Sequence, residues 1–114
     1  MFTRDQRLTK DKQFAAVFKT GRSSYHPALV VRAVSNHSQT NHFGVIVSNK
    51  VSKLAVVRNK LKRRVRYILN KHAFFLTQGF DVVVICSRES LKLDFIELEK
   101  TLVARLTQLR LINL

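Results

Sequence analysis

Residues 56–69 read VVRNKLKRRVRYIL, and the nine positions from Arg58 to Arg66 hold six Lys or Arg, with Leu61 and Val65 threaded between them. Advance from Val57 by about 100° per residue, the pitch of an α-helix. Leu61, Val65, Ile68, Leu69, His72, Phe75 and Leu76 then share one arc. Lys60, Lys62, Arg63, Arg64, Arg66 and Lys71 share the other. Arg58 lies at the border, Asn59 falls on the basic side, and Tyr67 and Phe74 are the two aromatics that fall there with it. The spacing predicts a two-faced helix from about Ala55 to Leu76, stopped before Gly79. Such an apolar arc needs strands to cover it.

The outer arc carries charge of one sign. No acid occurs from Ala55 to Leu76, and Arg58–Lys62–Arg66 and Lys60–Arg64 are like-charge i,i+4 pairs. Such pairs destabilise a helix by a few tenths of a kcal/mol each, so solvated faces normally mix signs. A face of this kind is stable against an anion, and Arg suits bidentate phosphate contacts.

The rest of the chain's charge agrees. The formal net charge is +14 over 114 residues. Residues 1–72 hold 16 Lys and Arg against Asp5 and Asp11, whereas residues 73–114 hold five of each sign. Self-repulsion on that scale is relieved by a polyanion. Nucleic acid is the expected partner, and an anionic membrane surface is the rival. A membrane-lying helix would turn its apolar arc to lipid, but here that arc is required as core. The length suits one domain over residues 1–114.

Working outward, TKDKQFAAVFKTG (9–21) reads as a short helix with Thr9 as N-cap, Asp11 in its first turn and Gly21 as its stop. SSYHPALVVRAVS (23–35) reads as a strand, with Pro27 near its start. SNHSQTNH (35–42) reads as a polar turn, and GVIVS (44–48) as part of a central strand, the two strands forming an antiparallel hairpin. In GFDVVVICSR (79–88) the unbroken VVVIC implies a strand buried on both faces. SLKLDFIELEKTLVARLTQLRLINL (90–114) reads as a final helix with a stripe of Phe95, Leu98, Leu102, Leu106 and Leu109, led by Leu91. The order helix, strands, helix, strand, helix implies a two-layer α+β domain.

Other chemistries find little support. Cys86 is the lone cysteine, lies in an apolar run and reads as a buried hydrophobe, consistent with a cytoplasmic home. The N-terminal stretch has no signal-peptide pattern, and no apolar run would span a membrane. His26, His37, His42 and His72 form no ligand spacing with one another or with Cys86, so no metal site is expected in the protein. No carboxylate pair or Gly-rich phosphate loop stands out, so no residue is nominated as catalytic and no small-molecule substrate is expected. Phe14 and Phe18, four apart, read either as core or as an exposed platform for unpaired bases.

Arg58-Asn59-Lys60-Leu61-Lys62-Arg63-Arg64-Val65-Arg66 resembles the signature RNRxKRxxR of the bacterial ribonuclease P protein subunit. The resemblance extends to Arg7-Leu8, Gln13-Phe14, Val17-Phe18-Lys19 and Gly21 before it. Phe43-Gly44-Val45-Ile46-Val47-Ser48-Asn49-Lys50 matches the family's strand ahead of the signature, and Asp81-Val82-Val83-Val84-Ile85 the strand after it. This chain departs from the pattern at Lys60, where Arg is usual, and at Asn49, where Lys is usual. Gln13 stands where an acid is usual, and Arg32 where some relatives carry an aromatic.

The resemblance implies a fold like ribosomal protein S5 domain 2, in the order α-β-β-(β)-α-β-α with a left-handed βαβ crossover. It implies a subunit of the ribonucleoprotein that removes the 5′ leader of precursor tRNA, the chemistry carried by the RNA with bound Mg²⁺. The implied partners are the catalytic RNA and precursor tRNA. Lys53, Arg58, Asn59, Lys60, Lys62, Arg63 and Arg66 would face the RNA subunit. Phe14, Phe18, Arg32 and Ser48, bordered by Lys62 and Arg66, would hold the leader. The alternative is a structural rRNA-binding protein without processing activity.

Overall fold

The computed structural model describes residues 7–112. Along them run α1 (Asp11–Thr20), β1 (Arg22–Tyr25), β2 (Leu29–Ser35), β3 (His42–Ile46), α2 (Ala55–Lys71), β4 (Phe80–Cys86) and α3 (Phe95–Gln108). Short 3-10 turns occupy Ala73–Phe75 and Arg88–Lys92. The optional strand of the expected order is present. The stretch expected as one strand folds back on itself at residues 26–28, where His26 N–H donates to the Leu29 carbonyl at 3.1 Å and Tyr25 pairs with Val30. Pro27, with no N–H to give a ladder, sits in that turn.

The sheet order is β1-β2-β4-β3. β2 pairs antiparallel with β4 from Leu29↔Cys86 to Ser35↔Phe80, and β3 pairs parallel with β4 from His42↔Asp81 to Ile46↔Ile85. Two expectations are corrected here. β2 and β3 do not form a hairpin, because β4 lies between them, and β3 ends the sheet rather than occupying its centre. Residues 36–41 do reverse the chain, but in a wide connection that crosses the start of β4 instead of a tight turn. Asn36 N–H donates to the Gly79 carbonyl, while the Asn41 amide donates to the Thr77 carbonyl at 2.9 Å and accepts from Phe80 N–H at 2.8 Å. The apolar character of β3 comes from cover rather than centrality. Phe43 belongs to one core and Ile46 packs on the other, and Leu8 N–H donates to the Phe43 carbonyl along its outer edge. Strand β4 is the central strand buried on both faces, with Val82, Val83 and Val84 all at 2% exposure or less.

Period-2 alternation sorts the sheet's side chains into two cores. Leu29, Val31, Ala33, Val82, Val84 and Cys86 meet Leu61, Val65, Ile68 and Leu69 of α2 and Leu98, Leu102 and Leu106 of α3. This helix layer on the sheet is the sandwich expected from the sequence. On the opposite face Val83, with Val34, Ile46 and Ile85, packs under Leu8, Val17 and Phe14. Helix α1 therefore covers part of that second face. The parallel β3–α2–β4 unit is the βαβ element the resemblance implies, its left hand resting on the resemblance.

The helix ends differ from expectation for local reasons. Helix α2 stops at Lys71, where the chain tightens into the 3-10 turn. Phe75 is consequently exposed instead of sharing the buried arc, and Leu76 is buried through a bridge to Ile112. Helix α3 starts at Phe95, because Asp94 caps it by accepting from Glu97 N–H at 2.8 Å. Leu98, Leu102, Leu106 and Leu109 of its stripe are buried as expected, Phe95 is only partly buried, and Leu91 lies outside the stripe and is exposed. The chain leaves the helix at Leu109, and residues 113–114 of the expected helix lie outside the described residues. Helix α1 is capped at Lys10, not Thr9, and the Gln13 carboxamide oxygen accepts from both Thr9 and Lys10 N–H. A Gln thus performs the capping that an acid at this position would. Gly21 is extended, not left-handed, and is needed for closeness: a Cβ there would stand 2.3 Å from the Val17 carbonyl oxygen.

Candidate nucleic-acid interface

Helix α2 presents the expected two faces. Leu61, Val65, Ile68 and Leu69 are buried, while Asn59, Lys60 and Arg63 are exposed and Arg58, Lys62, Arg64 and Arg66 are half-buried. Among the described residues, none of Arg58, Lys60, Lys62, Arg63, Arg64 and Arg66 has an ion-pair partner. The first turn holds no acid and no side-chain cap, so the helix dipole adds to the positive field there. Among the described residues the charge is answered only at the far end, where Glu99 meets Lys71 at 2.9 Å and His72 at 3.1 Å. Unanswered cations on a rigid helix fit a polyanion, since neutralising phosphates releases their counterions.

Not all of these cations are equally free. Arg58 Nη1 donates to the Ser52 carbonyl at 2.9 Å, so part of its guanidinium pins the loop before α2. Lys53 is exposed on that loop and lines a concavity of about 530 Å³ with Asn49, Lys50, Ser52 and Arg88. Arg88 donates through Nε and Nη2 to the Lys50 carbonyl. Sequence reasoning passed over Arg88 because residues 73–114 sum to zero charge. Glu89, however, pairs with Lys92, which leaves Arg88 on the basic side of the balance.

Around α1 the structure joins two of the expected leader residues, Phe18 and Arg32, with Phe14 one turn away on the same helix. Phe14 is half-buried over the smaller core and lies against Gly44, and Phe18 is 42% exposed. The Arg32 guanidinium stands 5.7 Å from the Phe18 ring centroid, and its Nη2 donates to the Phe18 carbonyl at 2.7 Å. Arg32 Nε is buried without a hydrogen-bond partner among the described residues. Ser48 is exposed beyond the end of β3, where its hydroxyl accepts from Lys50 N–H at 3.3 Å. No hydrogen bond, ion pair or ring contact among the described residues joins the Phe18–Arg32 pair to Ser48, Lys62 or Arg66.

The link between the two regions is the edge of β3. Arg7 bridges to Phe43 there, and the next residue, Leu8, enters the core beneath Phe14. Burial, and after it the charge of Arg7, pushes the Arg66 guanidinium down from its ordinary value. Arg7 and Arg66 are thus near enough for their like charges to act on one another. Sequence reasoning named Arg7 only as part of a motif; its place beside Arg66 depends on the β3 edge, which periodicity does not reveal.

Elsewhere the titratable groups are structural. Burial pushes the Cys86 thiol up to about 12, so it is no nucleophile at neutral pH. Asp81 is buried and accepts from the Asn36 amide at 2.9 Å, with His42 Nδ1 at 2.8 Å. No three or more His, Cys, Asp or Glu side chains converge as a metal cluster among the described residues. No described helix is long and apolar enough to cross a membrane.

Comparison with known proteins agrees with the signature. A family model described as Ribonuclease P matches residues 2–110. The ribonuclease P protein component of a Synechocystis species is 41% identical over 81 residues, 69% of this chain and 64% of that protein, so the match spans less than two thirds of that relative. The corresponding component of Streptococcus pneumoniae is 39% identical over 98 residues, 84% of this chain and 77% of that protein. Among solved structures, the RNase P protein of Staphylococcus aureus superposes with a TM-score of 0.87 at 26% identity, covering 95% of this chain and 98% of that one. That of Thermotoga maritima gives 0.77 at 32% identity, covering 86% and 92%.

Proposed function

The chain belongs to the ribonuclease P protein family, the protein component of the endoribonuclease that processes the 5′ end of tRNA, and on that premise we propose how it works. It binds the catalytic RNA subunit through α2 and the loop before it, using Lys53, Arg58, Asn59, Lys60, Lys62, Arg63 and Arg66. It holds the 5′ leader of precursor tRNA along α1 and the β3 edge, using Phe14, Phe18, Arg32 and Ser48, with Lys62 and Arg66 at the border. Residues 1–114 act as one domain, in the cytoplasm, where nascent precursor tRNA is found.

One observation carries this reading: from Arg58 to Arg66 the outer arc of α2, on the helix with the family signature, is cationic and without acidic partners among the described residues. An RNA phosphate backbone supplies the missing charge. The partly exposed Phe14 ring, and the Phe18 ring beside Arg32, suit the unpaired bases of a leader. Mg²⁺ supplies the activated water and charge stabilisation for phosphodiester hydrolysis. This reading assigns the ion to the RNA, as the family resemblance implies. The protein's part is to lower the repulsion between two RNA chains and so favour metal binding at low Mg²⁺. The alternative of a purely structural rRNA-binding protein is not favoured by the family match.

The test is reconstitution. Adding the protein to a bacterial ribonuclease P RNA at limiting Mg²⁺ is expected to accelerate leader release from precursor tRNA. RNA binding without any acceleration would overturn the reading and leave the structural alternative.

A further inference from the structure

Tyr67 sits on the cationic side of α2, where an aromatic has no place in a plain charged surface. Its contacts account for it. Tyr67 meets Phe95 of α3 edge to face, ring centroids 5.7 Å apart and planes at 63°. The two rings, with Lys60, Arg63 and Arg64, line a groove of about 630 Å³ between the helices. At Lys60 and Arg64 the groove runs on into a second hollow of about 330 Å³, floored by Leu61 and Leu98.

Tyr67 is not core, and Phe95 borders it without being enclosed. Tyr67 is 59% exposed and Phe95 only partly buried, so ring surface faces water next to three cations. Among the described residues the charged lining is all of one sign. The acids nearest along α3 are engaged elsewhere: Asp94 and Glu97 cap the helix through each other's N–H, and Glu99 is held by Lys71 and His72.

We propose that this groove holds one unpaired nucleotide of the RNA on which α2 docks, its base stacked on Tyr67 and its phosphates held by Lys60, Arg63 and Arg64. The groove is of ligand-site volume, and aromatic faces beside Arg and Lys are the elements that bind unpaired bases. An apolar peptide seated there would cover three cations without answering their charge, a costly desolvation. The inference rests on the RNA-subunit reading above, because the groove is continuous with the basic arc of the same helix. It adds Tyr67, Phe95 and Arg64 to the residues that reading names.

The test measures binding to a bacterial ribonuclease P RNA over a salt series, with base-specific chemical probing of the bound RNA. Tyr67→Leu is expected to weaken binding roughly ten-fold, as for loss of one stacked base, with the salt slope unchanged. Tyr67→Phe is expected to bind like the parent protein. Lys60→Ala with Arg64→Ala is expected to flatten the slope. One unpaired base is expected to be protected by the parent protein and by Tyr67→Phe, and reactive with Tyr67→Leu. If Tyr67→Leu melts early, Phe95→Tyr and Tyr67→Phe, which keep both rings, are expected to preserve that protection. Tight binding by Tyr67→Leu with unchanged base reactivity would overturn the groove alone. Failure of the parent protein to bind the RNA would overturn the RNA-subunit reading and this one with it.

Discussion

The ring of Phe14 lies so close to Gly44 that a Cβ built on the glycine would come within 2.8 Å of Cε1 and 2.9 Å of Cζ. A helix and an edge strand thus fix the position of one aromatic, and glycine is what lets the ring approach. Gly44→Ala is expected to push Phe14 outward, at about 1–3 kcal/mol in stability. It is also expected to weaken precursor tRNA binding more than mature tRNA binding. Phe14→Ala is expected to show the same selectivity, about five-fold or more for one lost stacking contact. Equal losses for both RNAs, measured in parallel, would return Phe14 to a core role.

Arg63 and Arg58 should separate. Arg63 is exposed and without an acidic partner among the described residues, so Arg63→Ala is expected to reduce the salt slope of RNA binding by about one and leave the melting temperature alone. Arg58 also holds the Ser52 carbonyl. Arg58→Ala is expected to lower the melting temperature as well as the slope. Calorimetry beside salt titration checks both, and a matched melting temperature for the two variants would contradict the loop-pinning contact.

The hydrogen bond from the Lys71 ammonium, joined by the His72 contact and opposed by partial burial, holds the Glu99 carboxyl below its ordinary value of 4.5. A carboxyl with a lower folded than unfolded value stabilises the fold above its unfolded value, and loses that contribution as pH falls through the folded one. Glu99→Gln is expected to melt slightly below the parent protein at pH 7. The difference should close as pH falls beneath about 4.5. A gap that shows no narrowing as pH falls below about 4.5 until the protein acid-unfolds would mean the side chain acts through packing instead.

Cys86 is buried with its thiol pushed up to about 12. The folded protein is expected to resist alkylation by iodoacetamide at pH 8, and to react fully once unfolded in guanidinium chloride. Mass spectrometry of the two samples checks this, and rapid labelling of the folded protein would show that β4 opens locally.

The sequence by itself determined the faces. The 3.6-residue period divided α2 into a buried arc and a cationic one, the stripe from Leu98 to Leu109 seated α3, and VVVIC marked β4 as buried on both sides. These are local properties, fixed by side-chain spacing along one element. The signature residues were legible for the same reason, since they lie on one helix. Tertiary structure alone decided which strand lies beside which, because backbone hydrogen bonds satisfy any strand order equally well. It placed β4 between β2 and β3, which set β3 at the edge and brought Arg7 to Arg66. It likewise gave Arg58 its tie to Ser52 and turned Tyr67, an oddity of the helical wheel, into one wall of a groove whose other wall is Phe95.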